Sequence, residues 1–137
     1  MLRADFAYMY SGILQQYAFL QCSQTDDEQG KKAQLQYLAL LQRIRNEGIK
    51  YPQNQLHGDA GMAYLRLYRI ESTAGNASAA ADNMRSAQKE FSALGWNDKQ
   101  ISADALAKLI ETREANEAKL YKASVQENPG KSGRSSE

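Results

Sequence analysis

The chain reads as an all-α domain of about five helices, and three observations point there. First, β-branched residues are scarce: one Val, six Ile and three Thr stand against twenty Ala, fourteen Leu and thirteen Gln in 137 residues. A sheet core draws on Val, Ile and Thr, whereas Ala, Leu and Gln are good helix formers. Second, apolar residues recur at three- and four-residue steps through most of the chain, the period of a helix face. Third, Gly and Asn fall at the joints between those stretches, where helices stop. The length is one domain's worth, and we place that domain at residues 1–126.

The first stretch runs from about Leu2 to Cys22. Leu2, Phe6, Met9, Ile13, Tyr17 and Leu20 share one face, widened by Tyr10 and Leu14. A polar break comes next, and Thr25 with Glu28 three residues on has the form of a capping box. The second stretch carries Ala33, Tyr37, Leu40, Leu41 and Ile44 inward; Gly48 closes it and Tyr51-Pro52 blocks continuation. Residues 49–58 then read as the one long connection. Asp59 is the expected N-cap of the third stretch, with Ala60, Ala63, Tyr64, Leu67, Ile70 and Ala74 on its core side.

Gly75-Asn76 makes a tight turn, Asn76 being able to cap the fourth stretch. That stretch has the cleanest stripe, Ala80, Met84, Ala87, Phe91 and Leu94, and Gly95 ends it. Trp96 is placed to pack back as an anchor. A fifth stretch begins near Asp98 or Ser102, with Leu106, Leu109, Ile110, Leu120 and Tyr121 inward and a second half that projects toward solvent. Residues 127–137 have almost nothing to bury and read as a disordered tail. Short links make antiparallel neighbours, so the first and second stretches, and the third and fourth, form two hairpins closed by the fifth.

Charge excludes several classes of partner. Seventeen basic and sixteen acidic side chains leave a net charge of +1, spread evenly along the chain. No arm or tail attracts nucleic acid or an acidic surface, so nucleic acid is not an expected partner. The longest uncharged run, residues 6–25, is too rich in Gln to span a membrane, and no transmembrane segment is expected. The start lacks the marks of a secretory signal. As numbered, the expectation is cytoplasmic; periplasmic or lipid-anchored placement is expected instead if a leader was removed before Met1.

Few residues carry chemistry. One Cys and one His make neither a disulfide framework nor a Cys/His zinc site, and no metal or cofactor is expected. His57 reads as a loop histidine near a helix cap, without the paired nucleophile and orienting group that a general base needs. Cys22 has no basic neighbour nearer in sequence than Lys31 and reads as a packing residue. Glu111, Glu114 and Glu117, interleaved with Arg113 and Lys119, read as a solvated face. These residues give no reason to expect an enzyme.

One segment does keep to a pattern. Gly61 to Leu94 is 34 residues, the tetratricopeptide period. Tyr64 takes the first aromatic position and Leu67 the helix-A leucine. Gly75-Asn76 is the turn, Ala80 and Ala87 are the small helix-B positions, and Met84 fills the bulky slot between them. The segment resembles one tetratricopeptide-type hairpin, covering about a quarter of the chain. Tyr68, Glu71 and Ser92 depart from that pattern, and no second copy occurs at the same offset. More loosely, the sequence from Ala63 through the Gly95-Trp96 pair resembles small bacterial helical proteins, some of them exported or lipid-anchored.

The resemblance implies that ligand-facing residues come from the hairpin's first helix. By position these are Met62, Leu65, Arg69, Ser72 and Thr73, with Arg66 beside them, and Tyr, Arg and Met are residue types enriched at interfaces. The function expected is a non-enzymatic interaction module, an adaptor, assembly or neutralising partner, that binds a protein or peptide through the surface of the third stretch. The alternative is a homo-oligomer, a homodimer in the simplest case, assembled through the aromatic first stretch.

Overall fold

The computed structural model describes residues 27–49 and 51–127, which form four α-helices and no strand. These are α1 (Asp27–Asn46), α2 (Gln53–Thr73), α3 (Ala77–Ala93) and α4 (Ala103–Glu127). They correspond to the second to fifth stretches of the sequence. The expected first stretch with Cys22, Thr25 of the capping box and tail residues 128–137 lie outside the described residues. Within them the all-helical expectation holds, and none of the helices is long and apolar enough to cross a membrane.

The helix α2 is the hub. One apolar cluster joins it to α1: Tyr37, Leu40, Leu41 and Ile44 pack on Leu56, Ala60 and Ala63, with Tyr51 at the edge. A second joins it to α3 and α4 through Leu65, Met84, Ala87, Phe91, Leu106 and Ile110. Tyr64 touches both clusters. The inward residues expected on α1 are all buried, and Ala80, Met84, Ala87 and Phe91 of the fourth stripe are buried too.

Small residues set the closest contact. A Cβ built on Gly61 would meet the Phe91 ring at 2.7–2.9 Å, so α2 and α3 approach there as only glycine permits. Three helices end on glycines with positive φ: Gly48 at 66°, Gly75 at 84° and Gly95 at 88°. After α3, the Trp96 amide donates to the Phe91 carbonyl (3.3 Å) and the Gly95 amide to that of Ser92 (2.9 Å). Such an ending brings the residue after the glycine back onto the last turn. Trp96 accordingly stacks on Phe91, ring centroids 4.3 Å apart and planes 14° from parallel.

Several local expectations need correction. The helix α2 starts at Gln53, six residues before the expected cap at Asp59. Pro52 holds φ at −60° ahead of it, and Leu56, completely buried, anchors a first turn that polarity alone had marked as loop. Asp59 is therefore inside the helix, accepting a hydrogen bond from the Tyr51 hydroxyl at 3.3 Å. Asn76 precedes α3 but its side chain does not cap; its amide donates to Glu71 at 2.8 Å. Ser102 does cap α4, its Oγ accepting from the Ala105 amide at 3.2 Å. Ala74 is exposed, and Leu120, expected inward, is 67% exposed on the projecting half of α4.

Candidate binding cleft

α1 and α4 flank α2 and leave a cleft between them with room for about 510 Å³. Its floor is α2, through Gly58, Asp59, Met62, Ala63 and Arg66. One wall is Gln34 and Tyr37 of α1; the other is Leu109, Arg113 and Glu117 of α4. Phe91, Leu94 and Trp96 close one end. The volume lies within the range of ordinary ligand sites, and the lining combines apolar and aromatic walls with a few charged groups. The formal charges cancel: Asp59 and Glu117 against Arg66 and Arg113.

Ion pairs close the other end. Arg66, 8% exposed, holds Glu117 with two parallel bonds, Nη1 to Oε1 at 2.7 Å and Nη2 to Oε2 at 2.6 Å, and reaches Glu114 at 3.3 Å. Arg69 donates to Glu114 at 2.7 Å and to Asp27 at 2.9 Å, so one guanidinium ties α1, α2 and α4. Burial alone would lower the Arg69 pKa; the bonds and charges of Glu114 and Asp27 outweigh it and hold the group above its ordinary value. Forked arginine–carboxylate geometry fixes orientation as well as adding energy. These pairs set the width of the cleft at this end. Arg113, in contrast, has no ion-pair partner among the described residues.

The six residues expected to face a partner are split three ways. Met62 and Arg66 line the cleft. Arg69, Ser72 and Thr73 line a separate shallow groove, where Tyr68 faces Asp104, Lys108 and Glu111 of α4. The Thr73 hydroxyl is turned back onto the Arg69 carbonyl at 2.9 Å. Leu65 is completely buried against Met84, Leu106 and Ile110 and presents no surface. The face expected to be open, or covered by the first two stretches, is covered by α4 in its Leu65 portion. The reason is the stripe Leu106–Ile110, whose burial requires that side of α2.

Glu114 and Glu117, read in the sequence as solvated, are the partners of Arg66 and Arg69. The signal was present as two matched doublets, Arg66/Arg69 and Glu114/Glu117, each three residues apart and therefore each on one helix face. His57 does not sit in a loop: it lies in α2 with Nδ1 2.8 Å from Glu90 Oε1, an oxygen that Arg45 also approaches at 3.4 Å. This cluster ties α1, α2 and α3 on their far side. No group of three or more His, Cys, Asp or Glu side chains able to hold a metal occurs among the described residues.

No family model matches the chain, and comparison with curated proteins and with solved structures gives no match. The cleft itself is therefore the ground for a functional reading.

Proposed function

We propose that the protein is a non-enzymatic interaction module whose cleft between α1 and α4 receives an amphipathic helix of a protein partner. The observation that carries this is the lining. Tyr37, Met62, Phe91 and Trp96, with Arg66 in the floor and Arg113 on the α4 wall, are the residue types on which binding energy concentrates. A slot flanked by two helices also suits a third, which presents anchors at i, i+3, i+4 and i+7. Met62 and Arg66 keep the role expected of them, and Arg69, Ser72 and Thr73 extend the contact around α2; Leu65 supports the surface from within.

The proposal includes a tetratricopeptide-type geometry for residues 61–94. It is supported by the Gly75 turn, by the burial of Ala80 and Ala87, and by the contact of Phe91 with Gly61. In such hairpins the first helix faces the ligand. Here α4 fills the Leu65 side, which leaves the Met62 side for a partner.

The test starts from a partner captured by the full chain and then purified, with affinities measured by calorimetry for wild type, Met62→Ala and Arg113→Ala. Truncating a central anchor costs about 1–2 kcal/mol, so each variant should bind roughly tenfold more weakly. Unchanged affinity in both folded variants would place the partner elsewhere.

A further inference from the structure

We propose that the partner helix is an acidic one, presenting a carboxylate to Arg113 one turn from an apolar anchor at Met62, Leu109 and Trp96. This rests on the reading of the cleft as a helix-binding groove and names the chemistry of what it binds.

The charges of the lining are the first ground. Four charged side chains line the cleft, and three of them have partners within the protein. Arg66 and Glu117 hold each other through two parallel bonds, at 2.7 and 2.6 Å. The Asp59 carboxylate accepts from the Tyr51 hydroxyl at 3.3 Å. Arg113, the fourth, has no ion-pair partner among the described residues. Its own helix cannot supply one. Of the residues three and four away on α4, Leu109, Ile110, Asn116 and Glu117, only Glu117 is charged, and Arg66 already holds it.

The second ground is what a docked helix does to that cation. Arg113 is exposed on the α4 wall, and a helix laid along the wall covers it. A cation that loses water without gaining a counter-charge is costly, so a neutral side chain opposite Arg113 is disfavoured and a basic one more so. A carboxylate removes that penalty and can take the guanidinium in fork geometry. The gain is chiefly in selectivity, since a charge matched across an interface rejects partners of the wrong sign.

Position supplies the third. Leu109, Arg113 and Glu117 follow at four-residue steps along the wall, each about 6 Å beyond the one before. Leu109 packs with Met62, Leu94 and Trp96 at the apolar end, whereas Glu117 belongs to the ion-paired end. Arg113 therefore lies one turn from the apolar end. A facing helix matches that spacing with an apolar residue and an acid three or four positions apart.

A displayed library of amphipathic, tryptophan-free helical peptides, selected against the full chain, tests this. Trp96 is the only tryptophan and lines the cleft, so its emission reports which selected peptides sit there. Among those, Asp or Glu should be enriched three or four positions from the apolar anchor. Exchanging that acid for its amide should weaken binding about fivefold in wild type and leave it unchanged in Arg113→Gln. Arg113→Glu should instead prefer the peptide with Lys at that position. Because Arg113 is exposed, neither substitution disturbs the core. Peptides that shift Trp96 emission without an acid preference, or with one that survives Arg113→Gln, overturn the proposal and leave the cleft reading standing. Peptides that bind without shifting Trp96 and keep their affinity for Met62→Ala remove the cleft reading itself, as does a selection that yields no binder.

Discussion

Two glycines one turn apart in α2 should respond to the same substitution with opposite signs. Alanine is favoured over glycine inside a helix by about 1 kcal/mol. At Gly58 the added Cβ would meet Leu94 Cδ1 at 3.8 Å, ordinary contact, so Gly58→Ala should stabilise by up to about 1 kcal/mol. At Gly61 the same atom would meet the Phe91 ring at 2.7 Å, and that ring is fixed by its stack on Trp96. Overpacking costs about 1–3 kcal/mol, which exceeds the helix gain and leaves Gly61→Ala destabilised by about 1 kcal/mol. Urea unfolding midpoints measure both, and Phe91→Leu in the Gly61→Ala chain should recover part of the loss. Nothing in the sequence separates these glycines, because the difference lies in what α3 places opposite each. The residues that bear local backbone constraints were legible: Gly48, Gly75 and Gly95 announce three helix ends. The roles of Arg66 and Arg69 were not, since an arginine's partner depends on which helix lies across from it.

Polar ties between elements decide how the helices sit. Arg66 is the main tie from α2 to α4, and its removal leaves Glu117 largely buried without its cation, while Glu114 keeps Arg69. Breaking one side of such a pair costs more than the pair contributes, so Arg66→Ala should destabilise by about 3 kcal/mol. The Arg66→Met, Glu117→Met double variant, which removes both charges and keeps the volume apolar, should recover most of that loss. Denaturant unfolding of the three chains tests it; a double variant no better than the single would mean that α4 docks independently of the pair. Glu71 ties α2 to α1 and to the turn before α3. The Asn76 amide and then the Lys31 ammonium, 3.0 Å away, hold its pKa below the ordinary value of 4.5 against the opposing effect of burial. A depressed carboxylate contributes stability that is complete above its unfolded value and lost as pH falls through its folded one. The stability gap between wild type and Glu71→Gln should therefore be constant above pH 4.5 and shrink below it; a gap that widens on acidification would contradict the assignment. At this scale the helix stripes were legible because burial keeps a 3.6-residue period. The start of α2 was not, because Leu56 is a single buried anchor among polar neighbours and no period marks it.

Among the described residues, α2 is held between α1 on one side and α3 with α4 on the other, and the cleft lies along its third side, between the two apolar clusters. The all-helical class was legible in composition alone. The cleft was not, because it forms where three helices and the loop after α3 meet: Gln34 and Tyr37, Met62 and Arg66, Leu109 with Arg113, and Trp96. Two of the six residues expected to meet a partner line it, since Met62 and Arg66 fall on the side of α2 that faces the cleft. Leu65 does not, because Leu106 and Ile110 need the same side for their own burial. Tetratricopeptide spacing says which helix of a hairpin faces outward, but only the neighbouring helices decide how much of that helix remains exposed.

Chemical-shift mapping of the full chain, on addition of its purified partner, is the sharpest test of the cleft as the binding site. The predicted result is a contiguous set of perturbed signals from Tyr37, Met62, Trp96, Leu109 and Arg113, with the outer face of α3 around Asp82 and Arg85 unchanged. Perturbations confined to that outer face, with the cleft signals unmoved, would contradict it.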